Sequence, residues 1–213
     1  MLHPLRVCST FLLAALASCH RGAKTDAAPA VVAPPLATYT PQRIAITPTI
    51  RMMSSDTGGA ALVHEFGSAS AVSRFFDGEL ARLLRERGIG TNWIMPADLV
   101  RAYERNRSYA SDPYNLAIES VRPVKFVAGS KYGEPLSSQL RTMIALHEEA
   151  RFVLLPATLQ FYGGRTVLRV ALLDPRYAEA RWVGDIRSDS IPVQTRSSLT
   201  QVAGRLADLF VAP

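Results

Sequence analysis

The stretch from residue 152 to residue 186 constrains the fold of this chain most, because it contains three strand patterns separated by two turns. Its first part is a continuous apolar run that changes to alternation, which is typical of a central strand. Gly163-Gly164 and Asp174-Pro175-Arg176-Tyr177 are both turn signals. The sequence therefore predicts a three-strand antiparallel meander at residues 152–161, 166–173 and 180–186.

Helical patterns occur in the sequence both before and after this meander. The clearest carries apolar residues at i, i+3 and i+4 spacing from Val72 to Leu84, with charged residues opposite, among them Asp77 and Arg85. Ser68 or Ser70 is positioned to cap this helix, and Gly88 ends it. Three further helices are predicted from Pro96, over residues 136–149, and from Leu199 to Phe210.

Two shorter segments complete the predicted sheet. Residues 43–50 alternate, but Pro48 lacks an N–H group, so this strand is expected at an edge or irregular at that point. Residues 92–95 form a second short strand pattern, and residues 54–67, which include Gly58-Gly59, are expected to form a loop. The fold class is therefore α/β: a single-domain sandwich with a mixed sheet of about five strands, in the order β-α-β-α-α-β-β-β-α, and helices packed on it.

The N-terminus has the organisation of a bacterial lipoprotein signal peptide. Arg6 supplies a positive charge, and the apolar segment that follows is far shorter than the ~20 residues of a membrane-spanning helix. Leu16-Ala17-Ser18-Cys19 resembles the box that lipoprotein signal peptidase cleaves. The resemblance implies removal of residues 1–18 and lipidation of Cys19, which would anchor the chain in a lipid bilayer. The alternative is an ordinary secretory peptide with an incidental cysteine.

Residues 19–41 are expected to be a lipidated cysteine followed by a disordered tether, since they are rich in Ala and Pro and show no periodicity. Residues 42–213 are expected to form one globular domain. Cys8 would leave with the signal peptide and Cys19 would be used by the anchor. The domain would then contain no thiol, which excludes a disulfide, a thiolate nucleophile and a cysteine metal site.

The expected location of the chain and its net charge restrict the kind of partner it can bind. The residue after Cys19 is His20 rather than Asp, which by analogy with lipoprotein sorting favours the periplasmic face of the outer membrane. The net charge of +6 reflects surplus arginine without a run of five basic residues. Because the chain carries an export signal, a nucleic-acid partner is not expected.

The order of elements resembles a group of envelope lipoproteins and domains that includes CsgG, the amino-terminal domain of TolB, and the LpoB-type activators of peptidoglycan synthases. The stretches that carry the resemblance are Arg43–Pro48, Phe76–Gly88, Trp93–Leu99, Ala150–Leu154, Leu172–Asp174 and Ala180–Trp182. The resemblance implies a role in binding or assembly, and no catalytic residue is carried over. CsgG builds a pore from long hairpins, but residues 105–135 contain several prolines and do not alternate, so a barrel of that kind is not expected here.

No motif predicts catalysis, a metal or a cofactor. Gly67-Ser68-Ala69-Ser70 does not match the G-x-S-x-G nucleophile turn, and His147-Glu148-Glu149 does not match H-E-x-x-H. A serine hydrolase that uses Ser68 with His64 is kept as an unfavoured alternative.

The candidate partner surface lies in residues 105–135, where tyrosines occur among basic residues. Tyrosine and arginine are enriched at the energetic centres of protein interfaces. The residues predicted to bind a partner are Arg107, Tyr109, Tyr114, Lys131 and Tyr132. The alternative is an ordinary long loop that packs on the sheet.

The sequence as a whole predicts an outer-membrane-anchored periplasmic lipoprotein that acts as a non-enzymatic binding or assembly factor for another envelope component. An oligomeric subunit of a secretion or transport complex, CsgG-like but without its own barrel, is the alternative.

Overall fold

The computed structural model describes residues 33–55, 57–147, 150–190 and 195–211. Residues 36–39 and 118–120 form short 3-10 helices. The strands are β1 (Ile44–Ile46), β2 (Arg51–Ser54), β3 (Phe152–Tyr162), β4 (Arg165–Asp174) and β5 (Glu179–Arg187). The helices are α1 (Thr57–Phe66), α2 (Ala69–Glu86), α3 (Pro96–Arg105), α4 (Leu136–Ala145) and α5 (Arg196–Asp208).

The strands form one mixed sheet. β1 and β2 lie end to end along one edge, and both run parallel to β3, with Ile44 opposite Phe152 and Arg51 opposite Thr158. β3, β4 and β5 follow as an antiparallel meander. The predicted α/β class, the mixed five-strand sheet and the meander are therefore confirmed.

The edge strand is interrupted at residues 47–50. The N–H of Thr47 still donates to the carbonyl of Leu154, and that of Ile50 to the carbonyl of Pro156. Pro48, which lacks an N–H, lies between them, so regular pairing stops there and resumes at β2. The irregularity predicted at Pro48 is confirmed, and the break leaves a bent backbone segment beside α2.

Helices cover both faces of the sheet. α1, α2 and α5 pack on one face around a core that includes Phe76, Phe161 and Phe210. α3, α4 and the segment 106–135 cover the other face, where Leu99, Leu140 and Phe126 are buried. None of the helices in the described ranges is both long enough and apolar enough to cross a bilayer.

The loop predicted at residues 54–67 is wrong, because residues 57–66 form α1. A Cβ on Gly59 would lie 2.8 Å from the Cβ of Phe161, so this glycine allows α1 to approach β3 closely. The pair Gly58-Gly59 therefore serves packing rather than a turn. Leu62 on the same helix is fully buried against the sheet.

The strand predicted at residues 92–95 is also wrong. Only Ile94 pairs with the sheet, through a single parallel bridge to Ala45. Pro96 then begins α3, and the N–H of Met95 donates to the carboxylate of Asp98, 3.1 Å away. The chain leaves the sheet edge here because helix initiation follows immediately.

Ordered structure begins before residue 42. Leu36 is buried in the core, the ring of Tyr39 packs edge-on against Phe152 at 5.2 Å, and the hydroxyl of Thr40 donates to the carbonyl of Phe210. The compact unit that contains the sheet extends from Val31 to Pro213. The end of the predicted tether is therefore part of the domain, while Cys19 and residues 20–32 lie outside the described residues.

Candidate functional site

Two adjoining cavities follow the β1–β2 edge of the sheet. One, of about 250 Å³, lies between residues 49–52 and the start of α2, and the other, of about 390 Å³, lies between α2 and residues 95–97. Arg74 and Tyr114 line both cavities. We call the combined space the edge groove. It is lined by Thr49, Ile50 and Met52, by one side of α2 from Ala69 to Arg85, by residues 95–97 and by Tyr114.

One side of α2 forms the long wall of the edge groove. Arg74, Gly78, Ala81 and Arg85 follow one another at spacings of four, three and four residues, which places them on one helical face. The helix is fixed in this orientation because its apolar residues, including Phe76, are fully buried on the sheet.

A buried carboxyl group connects this wall to the strand break. Asp77 is 7% exposed, and its Oδ1 accepts the N–H of Thr49 at 3.0 Å and the Thr49 hydroxyl at 2.7 Å. Burial raises the pKa of Asp77 to about 7, although both hydrogen bonds from Thr49 favour the charged form. Asp77 therefore holds the interrupted strand against α2 and changes its charge near neutral pH.

The arginines of α2 divide into two sets. Arg82 pairs with Glu79 and Glu86 on the side away from the edge groove. In contrast, Arg74 and Arg85 have no carboxylate partner among the described residues, although the Nε of Arg85 donates to the backbone carbonyl of Ala81. The groove wall therefore carries two guanidinium groups whose charge is not neutralised by an ion pair.

Tyr114 lies at the mouth of the edge groove. Its side chain is 41% exposed, and its backbone N–H donates to the carboxylate of Asp112. Partial burial and the nearby Asp77 raise the pKa of Tyr114, with smaller effects from Asp112 and Glu104, whereas Arg74 lowers it. Tyr114 therefore presents a neutral, exposed phenol to both cavities.

The residues predicted to form the partner surface do not lie together. Tyr114 is at the β1–β2 edge, whereas Lys131 is at the opposite edge, where it pairs with Glu179 of β5. Tyr109 is 60% exposed and donates to the side chain of Asn106, while Arg107 is exposed and lies 6.0 Å from the ring centre of Tyr103.

Tyr132 cannot contribute to a surface, because it is 3% exposed and belongs to the core beneath residues 116–136. The segment 105–135 crosses the second face of the sheet from one edge to the other. Residues close in sequence are therefore separated by the width of the sheet, and only Tyr114 of the five lines the edge groove.

The hydrolase alternative gains no geometric support. The hydroxyl of Ser68 accepts the N–H of Ala71 and caps α2, as one of the two predicted caps. Within the described ranges no hydrogen bond joins Ser68 to His64, which lies in α1. The same ranges contain no group of three or more His, Cys, Asp or Glu side chains placed to hold a metal ion.

Comparison with known proteins finds a distant structural similarity. No family model and no curated protein sequence matches this chain. Among solved structures, the LpoB C-terminal domain from Salmonella enterica matches 71% of this chain and 90% of its own length, with 8% identity and a TM-score of 0.34. LpoB-type proteins are among those that the order of elements in this sequence resembles.

Proposed function

We propose that this chain is a periplasmic lipoprotein, anchored in the outer membrane through Cys19, that binds another envelope component without catalysis and uses the edge groove as its contact site. The observation that carries the proposal is the groove itself, in which Arg74 and Tyr114 line two adjoining cavities. Arginine and tyrosine are among the side chains that contribute most at protein interfaces.

The anchor and tether supply location and reach. Two or more acyl chains on Cys19 would hold the chain in a bilayer, because each buried methylene contributes ~0.8 kcal/mol. The tether expected after Cys19 would let the domain reach a partner that is itself attached to another layer of the envelope.

Site-specific photocrosslinking in intact cells tests the proposal. A photoreactive residue at Ser70 or Ala97, both exposed beside the groove, is expected to capture an envelope protein. The same group at Tyr177, which is 59% exposed in the turn between β4 and β5, serves as the control. Capture from Tyr177 alone would contradict the proposal, and capture of a second copy would identify a self-associating subunit instead.

A further inference from the structure

We infer that the edge groove binds an extended acidic segment of its partner, in which two carboxylate side chains about five residues apart flank small apolar residues. This inference rests on the proposed function and specifies the chemistry of the partner. It is carried by the positions of Arg74 and Arg85 and by the shape of the wall between them.

Charge complementarity favours an acidic ligand. Arg74 and Arg85 lack carboxylate partners among the described residues, whereas Arg82 on the other side of the same helix has two. The carboxyl group that lines the groove, Asp77, accepts hydrogen bonds from the N–H and the hydroxyl of Thr49. Ligand carboxylates would therefore find two guanidinium groups that need not be released from an existing ion pair.

The separation of the two arginines sets the spacing of the ligand charges. Eleven residues of α-helix separate Arg74 from Arg85, which corresponds to about 16 Å at ~1.5 Å per residue. An extended chain covers that distance in about five residues at ~3.3 Å each. Two carboxylates with that spacing would reach both guanidinium groups at once.

The part of the α2 wall between the two arginines leaves room for small apolar side chains. Beyond the neighbouring residues and backbone of α2 itself, no atom lies within 4 Å of the position that a Cβ on Gly78 would occupy, so the space above this residue is open. Ala81 continues the same wall, and Met95 and Pro96 form the facing wall. These surfaces offer apolar contact and leave room for Ala-sized or Val-sized side chains.

Fluorescence anisotropy with three labelled hexapeptides tests the inference on the full chain in detergent. Asp-Ala-Val-Ala-Val-Asp has the required spacing, Ala-Val-Asp-Asp-Val-Ala has the same composition with adjacent acids, and Lys-Ala-Val-Ala-Val-Lys reverses the charge. We expect the first peptide to bind at least tenfold more tightly than the other two. Equal affinity of all three peptides would overturn the inference.

Charge reversal of the wall provides the matched variant. The double variant R74E/R85E is expected to weaken the first peptide at least tenfold, while Arg176→Glu, an exposed turn residue, leaves its affinity unchanged. If the double variant unfolds at a lower temperature than the wild type, R74Q/R85Q provides the same comparison without new acids. Unchanged affinity in the folded variant would overturn the inference.

The in-cell capture separates the two proposals. Capture of an envelope protein from Ala97, with the crosslinked segment containing two acids about five residues apart, supports both. Capture that is unaffected by R74E/R85E overturns the acidic segment and leaves the groove as the contact site. Absence of capture from Ser70 and Ala97 overturns the proposed function as well as the inference.

Discussion

Asp77 is the residue on which the geometry of the groove depends most directly. Its carboxyl group accepts three short contacts from Thr49 and connects α2 to the interrupted edge strand. Burial removes this group from water, and the hydrogen bonds do not offset the full desolvation penalty, so the pKa of Asp77 rises to about 7. The contact that shapes the groove therefore carries an electrostatic cost whenever this carboxyl group is ionised.

The Asp77→Asn variant tests this balance. A raised pKa in the folded state means that the stabilisation from Asp77 is complete below pH ~4 and is lost as pH rises through about 7, a change of roughly 4 kcal/mol. The asparagine side chain is isosteric and does not titrate, so the variant is expected to lose this pH dependence and to exceed the wild type in stability at pH 8. Urea unfolding at pH 5 and pH 8 measures both effects.

Glu104→Gln is the control for Asp77→Asn, because Glu104 is exposed and its removal also eliminates one carboxyl group. The control is expected to keep the pH dependence of the wild type. If the free energy of unfolding of Asp77→Asn changes between pH 5 and pH 8 as much as that of the wild type, the Asp77 carboxyl group is not the source of the pH dependence.

At the scale of elements, α2 packs on the core with one side and lines the groove with the other. Because Gly78 lies on the groove side, a change there affects the groove without disturbing the core. Gly78→Ala is expected to stabilise the helix by about 0.5–1 kcal/mol, because alanine has less backbone freedom to lose on folding. The new methyl group would project from the α2 wall into the open space of the groove. We expect a protein that is more stable in thermal unfolding but captures less partner from Ala97.

Gly204→Ala in α5 provides the comparison for Gly78→Ala. A Cβ at Gly204 would make ordinary contacts, 3.7 Å from Arg87 and 4.0 Å from Leu83, and would lie outside the groove. This variant is expected to gain similar stability and keep full capture. Equal capture by the two variants would argue against a ligand over Gly78.

The 3-10 helix at residues 36–39 is the second element with a measurable role. Leu36→Ala is expected to destabilise the domain by about 2–5 kcal/mol, since Leu36 is fully buried in the core beside α5 and β3. Leu209→Ala, at a residue that is 40% exposed, should cost clearly less. Denaturant unfolding measures both losses of stability. If Leu36→Ala loses no more stability than Leu209→Ala, the domain boundary lies after residue 41, as the sequence pattern predicts.

The sequence predicts elements well where one local pattern determines them. The meander is predicted because apolar strands alternate with strong turn signals at 163–164 and 174–177, and α2 because its stripe is long. Prediction fails where a long-range contact decides the conformation. Gly59 lies in α1, where its lack of a side chain lets the helix approach Phe161 closely. Leu36, in a Pro-rich segment, is buried in the core.

The candidate site is harder to predict for the same reason. In the helical pattern, Asp77 and Arg85 lie on the charged side, which predicts a solvated face. The break at Pro48 brings Thr49 onto Asp77, and Tyr114 arrives from a segment distant in sequence. The sequence indicates Tyr114 by its type and its position among basic residues, but its neighbour Arg74 depends on tertiary packing that no local spacing reveals.

At the scale of the whole molecule, the edge groove follows the β1–β2 edge of the sheet. Its first cavity is lined by Thr49 and Ile50, between β1 and β2, and its second by residues 95–97, which follow the bridge from Ile94 to Ala45 of β1. The parallel pairing of β1 and β2 with β3 makes this edge continuous with the centre of the sheet. The sheet therefore supports both cavities along one edge.

Cys19→Ser tests the anchor that this arrangement requires. A hydroxyl cannot form the thioether to which the lipid is attached, so the variant is expected to lose incorporation of labelled fatty acid and to leave the membrane fraction on sedimentation. Cys8→Ser, within the expected signal peptide, should keep both properties. Because the described domain contains neither residue, Cys19→Ser should bind the acidic hexapeptide as the wild type does yet capture no partner in cells. A Cys19→Ser chain that keeps its acyl label and sediments with membranes would show that the chain is held there in some other way.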